Sequence, residues 1–491
     1  MDPRRWWALA AVSLAAFMTY LDNNIVNVAI PTIQRSLHLS VAGLEWVVSS
    51  YLLTLAGLLL VGGRLADVFG RRRLFLAGLV VFTLSSLAAG LAASGGVLIA
   101  SRAVQGIGAA LLMPDTLAII VAAFTDVRER TMAIGIWAAA GALALAAGPA
   151  LGGVISQHFR WGWIFLINVP VGVLTFAIAL RNVRESRATD TVRQVDLPGL
   201  VTSAVTLFAL TYALIEGNVR GWTAPLIVGA FALSAVAAAA FGVIESRTAN
   251  PMVDLTMFRR REFSGGTGTM MIWAFGILGI YFFTSLYLQE VLGFSPVKAG
   301  LAFVPMALCV AVFAALAPRI EPRVGAHRAV AFGMLLMVVG LVLFARLGLN
   351  VSYPALLPGF MLFGAGAGLM NVPLTNATMA ATPASVAGIA SALINASREV
   401  AGLLGITVIG AVLRTRQGAS LRAGATPVHA FLDGYHTGLL VTIALMAAGV
   451  GVSYLTLRPR PAVSSEPAAL LAMAGGLAAE PFAADRAAPR S

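Results

Sequence analysis

The chain has 491 residues, of which 59% are hydrophobic and 11% charged, with a formal net charge of +12 at pH 7. Soluble domains carry about 25% charged residues, so this composition excludes one soluble core and points to a polytopic membrane protein. The basic excess lies between apolar runs, where it acts as a topology signal, so no nucleic-acid partner is expected.

A helix needs roughly 20 apolar residues to cross the hydrocarbon. On that basis the sequence predicts an all-α protein with fourteen transmembrane helices, near 6–30, 44–63, 74–94, 97–124, 131–156, 163–180, 198–216, 224–244, 265–289, 299–318, 328–347, 354–380, 385–413 and 437–457. The first run, "WWALAAVSLAAFMTY", is too long for a cleaved signal peptide and reads as the first span. With the N-terminus inside, the predicted inside loops hold 21 Lys and Arg and the outside loops 8. Positive charge favours the cytoplasmic side, so both termini are expected to be cytoplasmic. The stretch 414–436 is the longest predicted outside loop. The Pro-, Ala- and Ser-rich residues 458–491 read as a disordered cytoplasmic tail. The single cysteine, Cys309, excludes an internal disulfide and a thiolate metal site, and no metal or cofactor is expected.

The motifs follow in chain order. Span one ends in "LDNNIVNVAIP", and the loop after span two reads "GGRLADVFGRRR". Span four carries "LIASRAVQGIGAA" and span five "AAGPALGG". Span six contains "WGWIFLINVPVG", and spans nine and ten join through "LYLQEVLGFSPVKAGLAFVP". A fainter echo of the second loop, "APRIEPRVGAHR", follows span ten. Two six-helix halves related by a parallel repeat would put these two loops in equivalent places.

This series resembles the fourteen-span drug:proton antiporters of the major facilitator superfamily. The resemblance covers nearly all of residues 5–457. It implies a major facilitator fold: an N-terminal six-helix bundle (1–181), an inserted helix pair (182–262), a C-terminal six-helix bundle (263–457) and the tail (458–491). It also implies a transporter in the bacterial cytoplasmic membrane, exchanging protons for a small-molecule substrate; a monomer is expected, the sequence itself leaving the oligomeric state open. An importer of a small solute in the same superfamily is the alternative. No Walker loop is present, since the only lysine, Lys298, lies in "SPVKAG", and no metal or nucleophile cluster suggests an enzyme.

Asp22 lies roughly 24 Å along the helix from Trp6, and an intramembrane acid is costly and functional by default. It is expected to carry the proton, with Arg102 on span four as its partner; Gln105 and Gly106 share that face. Asp115, where the family has an apolar or small residue, and Glu399, beside the family's Arg398, are further proton-coupling candidates. At about 100° per residue, Tyr20, Asn23, Asn24 and Asn27 share one arc that excludes Asp22. That arc is expected to face the substrate cavity, with Asp22 turned to a neighbouring helix. The family usually has Thr where Asn24 stands. Trp273, Tyr281, Asn371 and Asn376 are the other cavity candidates. Gly63, Asp67, Gly70 and Arg71 form the expected gating motif. Gly148, Pro149, Gly152 and Gly153 form the antiporter motif, in which Ala144 replaces an expected glycine.

Overall fold

The computed structural model describes residues 4–186, 196–248, 251, 253, 255–349, 351–380 and 387–458; within the helices, the side chains of Leu60, Arg64, Asp67, Val127, Arg128, Thr131, Ala138, Ala142, Leu145, Ala146, 387–389, Ser391 and Ala392 lie outside the description. Residues 187–195 and the tail from 459 therefore fall outside it, so the expected disordered tail is not among the described residues.

The described residues form α1 (Arg4–Leu37), α2 (Val41–Phe69), α3 (Arg71–Gly90), α4 (Gly95–Ala123), α5 (Val127–His158), α6 (Trp163–Leu166) and α7 (Asn168–Asn182). After them come α8 (Leu197–Arg220) and α9 (Pro225–Arg247). The last group is α10 (Arg261–Leu286), α11 (Pro296–Ala302), α12 (Val304–Val324), α13 (Ala326–Phe344), α14 (Tyr353–Ala380), α15 (Ala387–Arg422) and α16 (Pro427–Thr456). Thirteen described segments are long and apolar enough to cross a membrane. α5 is 32 residues long and contributes a shorter described apolar stretch, Met132–Gly141.

Helix starts follow their side chains. Ser40, Ser94, Asp126, Asp196, Ser295 and Thr426 each accept a hydrogen bond from the backbone three residues on, satisfying a donor that the first turn leaves open. Two predicted spans are broken. The sixth divides at Ile167 into α6 and α7, and the tenth divides at Phe303 into α11 and α12. The ninth closes in a π-helical turn, Tyr287–Val291.

The predicted loop 414–436 is a correction. α15 continues through Arg422 and α16 starts at Pro427, so 423–426 alone joins them. Hydropathy ended the span where charges begin, but α15 runs 36 residues, roughly 54 Å at 1.5 Å per residue, well beyond a 30 Å core.

α1–α7 pack as one half and α10–α16 as the other. α8 packs against α2 and α15, on the seam between the halves, and α9 packs on α8 with Val228, Leu233, Val236 and Val243 exposed. In lipid, close packing replaces the hydrophobic drive between helices. A β-carbon on Gly333 or Gly366 would overlap the facing backbone of α14 or α13, so these glycines set how near the two helices lie.

The bundle has an N-terminal face, where α1 starts, and an opposite face, where α1 ends and α2 starts. At the N-terminal face Arg5 on α1 bonds both carboxylate oxygens of Glu129 on α5 at 2.6 and 2.8 Å, within one half. On the opposite face bonds cross between halves. Gln289 donates to the carbonyl of Val28 (2.9 Å), and the Val297 amide donates to Gln157 (3.2 Å).

Candidate functional site

The expected pair Asp22–Arg102 is formed, and both side chains have no exposed surface. α1 turns Asp22 away from the Tyr20 side and into α4 and α7. Arg102 Nη1 donates to Asp22 Oδ2 at 2.5 Å. Asp22 Oδ1 accepts from Gln105 Nε2 and Asn168 Nδ2, each at 2.8 Å. Gln105 in turn holds Arg102 Nη1 through Oε1 (2.8 Å) and donates to Ser86 Oγ on α3 (2.8 Å). Arg102 Nε reaches the carbonyl of Val47 on α2 (3.2 Å), and its guanidinium lies 4.2 Å over the Tyr51 ring. Five helices of one half thus meet in the hydrogen-bonded cluster around this carboxylate. A buried charge is tolerated only when paired and hydrogen-bonded, and here both oxygens of Asp22 are occupied.

Two members of this cluster lay outside the sequence expectation. Asn168 opens α7 after the break at Ile167, and it read as one residue of a motif. Ser86 carried no signal at all.

The Asn arc divides. Asn24 and Asn27 are buried and donate to carbonyls of their own helix, Tyr20 (2.7 Å) and Asn23 (3.3 Å). Tyr20 and Asn23 keep partial exposure. Asn24 and Ile25 fill the hollows left by Gly148 and Gly152 of α5. A β-carbon on Gly153 would overlap the Pro296 carbonyl, and one on Gly300 would overlap the Pro149 carbonyl. The antiporter motif is therefore the surface on which α5 meets both α1 and, across the halves, α11.

Of the remaining candidates, Asp115 is buried on α4 beside Pro114, which faces Gly63. Arg398 and Glu399 bond each other at 3.0 Å, although adjacent residues point about 100° apart. They stand within electrostatic reach of Tyr20 and Tyr51 of the other half. Tyr281 is buried against Phe303, ring centroids 4.3 Å apart. Its hydroxyl and the indole nitrogen of Trp273 have no hydrogen-bond partner among the described residues. Asn371 is partly buried. Asn376 is exposed and bonds Glu321 at 3.3 Å near the N-terminal face.

In the gating motif, Gly70 has φ 114°, a conformation that favours glycine, and it turns α2 into α3. The side chain of Asp67 lies outside the described residues. Glu185, not anticipated, caps the turn: it accepts from the Arg72 amide (3.1 Å), and the Arg71 amide donates to the Ser186 carbonyl (3.0 Å). A carboxylate at a helix start also complements the helix dipole.

A family comparison now decides the architecture: residues 12–406 match the Major Facilitator Superfamily. The chain belongs to that superfamily. It is a multi-pass membrane transporter whose neighbours among solved structures share its fold. One is the bacterial homologue of the human lysosomal transporter Spinster, in its inward-facing, unoccupied conformation, with TM-score 0.67 and 18% identity over 94% of this chain and all (100%) of that one. Among curated relatives, the "Multidrug resistance protein Stp" of Mycobacterium tuberculosis is 38% identical over 421 residues, 86% of this chain and 78% of its own length. The "Puromycin resistance protein pur8" of Streptomyces alboniger is 35% identical over 459 residues, 93% of this chain and 90% of its own. The "Tetracenomycin C resistance and export protein" of Streptomyces glaucescens is 33% identical over 477 residues, 92% of this chain and 88% of its own.

Proposed function

We propose that this superfamily member is a monomeric, proton-coupled antiporter that exports small, partly hydrophobic drugs or antibiotics across the bacterial cytoplasmic membrane, with both termini cytoplasmic. The observation that carries the reading is Asp22, a carboxylate with no exposed surface inside a membrane span, bound to Arg102, Gln105 and Asn168. An acid kept at such cost inside a membrane serves proton or ion movement by default. The printed names of the relatives, which are resistance and export proteins, support the direction of transport.

In this reading the N-terminal face is cytoplasmic, and the cross-half bonds of Gln289 and Val297 close the outer side. Substrate enters between the halves from the cytoplasm and meets Tyr20, Asn23, Trp273, Tyr281 and Asn371. Rocking of the halves presents it outward. Each inward proton contributes about 2.3 kcal/mol per 100 mV of membrane potential, enough to drive a useful gradient at one proton per substrate. Asp22 with Arg102 carries the coupling, and Asp115 and Glu399 are the further acids able to share it.

The test is a growth-inhibition panel across antibiotics and cationic dyes in a drug-sensitive bacterial host expressing wild type or Asp22→Asn at matched levels. Raised tolerance with wild type and none with Asp22→Asn is the expected result. Equal tolerance from both removes Asp22 from the coupling. No tolerance from either sinks the exporter reading and leaves import of a small solute.

A further inference from the structure

A second buried acid stands apart from the Asp22 cluster. Glu45 lies at the start of α2, on the opposite face, with no exposed surface. Its carboxylate crosses the seam to Arg414 of α15 and forms an ion pair there. The carboxyl sits in a notch over Gly410, where a β-carbon would overlap both of its oxygens. Arg414 also donates to the carbonyls of Leu214 (3.2 Å) and Ile215 (3.1 Å) on α8. Around this point Trp46 donates to Glu216 of α8 (3.1 Å), and Asn218 of α8 donates to the Ala411 carbonyl (2.9 Å). The N-terminal half, the C-terminal half and the inserted pair are thus tied together at one ion pair.

The two oxygens of Glu45 are unequal. Oε1 receives Arg414, whereas Oε2 is buried with no hydrogen-bond partner among the described residues. A buried acceptor left unsatisfied is costly, and more so when it carries charge. Among the described residues, the elements packed against it also carry Glu216 and Arg220 on α8, where Glu216 bonds the neighbouring Trp46, and α2 meets the Asp22–Arg102 pair at Val47.

We propose that Glu45 is a proton-binding site whose protonation opens the seam between the halves on this face. The inference deepens the exporter reading and rests on it for the direction of the proton. A proton from the aqueous phase on the outer side adds to Oε2, and the carboxylate becomes a neutral carboxylic acid. No covalent bond breaks; the ion pair to Arg414 loses its charge attraction. Arg414 is not stranded, because the two α8 carbonyls still accept its guanidinium. α15 can then part from α2 while α8 retains the arginine. As the outer side closes again, the proton leaves Oε2 for the cavity then opening to the cytoplasm and the pair with Arg414 re-forms. This couples one proton to one closure.

The experiment uses the full-length protein in lipid nanodiscs, with Cys309→Ser and spin labels at Ala93→Cys and Ala423→Cys, both exposed on the opposite face. Pulsed electron–electron distance distributions are recorded in alkaline and acidic buffer. The expected result is a longer distance in acid for the parent and a long distance in both buffers for Glu45→Gln. In Asp22→Asn the acid-induced shift should survive. An unchanged shift in Glu45→Gln, or no shift in the parent, overturns the proposal. If Glu45→Gln does not fold, an infrared difference spectrum of the parent, acid minus alkaline, replaces it. A protonated-carboxyl band that moves on isotope labelling of glutamate, and changes frequency in Glu45→Asp, is expected; a band that ignores both overturns the assignment. Neither readout needs a substrate. Failure of the tolerance panel with an intact distance shift would therefore defeat the exporter reading alone, and the reverse would defeat Glu45 alone.

Discussion

Two buried acid–arginine pairs both engage α2 in this transporter, and they are built to opposite specifications. Asp22–Arg102 lies inside one half, and Arg102 anchors on Val47, two residues from Glu45. Every oxygen of Asp22 has a donor, from α4 and α7. Glu45–Arg414 lies between halves and leaves one oxygen of its acid without a hydrogen-bond partner among the described residues. Rocking two rigid halves leaves the first pair's geometry alone and must pull the second apart. An acid whose donors all lie in one half keeps them as the halves rock, so its proton exchange is set by access; an acid paired across the seam has its pairing set by the state.

The contrast is sharpest when each arginine is removed. Arg102→Met removes the donor shared by Asp22 and Gln105 in the interior of one half, and breaking such a buried pair costs about 3–5 kcal/mol. Thermal unfolding in detergent should show a large loss, or too little folded protein to measure. Arg414→Met should cost clearly less in the same assay, because it unties α15 from α2 and α8 at the seam and leaves the packing within each half intact. Equal losses would erase the distinction between the two pairs. Next in size is Gly410→Ala, whose added methyl must displace the Glu45 carboxyl; overpacking of this kind costs about 1–3 kcal/mol. It should lengthen the same spin-label distance without acid. The smallest effect is expected from Asn168→Ala, which takes one of three donors from Asp22, leaves those of Arg102 and Gln105 in place, and costs about 1 kcal/mol. Efflux in energised vesicles should fall with little change in the spin-label distances.

Much of the scaffold was readable in the chain. Apolar runs located the helices, and the intramembrane Asp22 and Arg102 implied each other because neither is affordable alone in lipid. Gln105 followed from helical spacing. What was hidden depended on tertiary placement. Asn168 enters the site through a kink at Ile167 that no hydropathy pattern records. Glu45 comes just after the capping Ser40 and reads as a charge at a helix start. Arg414 reads as a loop charge because α15 outruns the hydrocarbon thickness. Arginine bias implied an even topology, and the same bias filed Arg414 as a loop charge although it bridges α15, α2 and α8. Tyr20 and Asn23 are partly exposed, while Asn24 and Asn27 are buried and bond carbonyls of their own helix. Helical angle alone does not separate those outcomes.

Gly410 has a consequence that reaches beyond this molecule. The notch and the carboxyl that fills it are a single geometrical statement written at two distant places in the chain. A side chain at 410 and an acid at 45 exclude each other in the closed seam. In related sequences the two positions should therefore change together, glycine accompanying the acid and larger residues accompanying its loss. That paired signature would allow transporters with an acid-operated outer closure to be sorted from those without one by reading two codons.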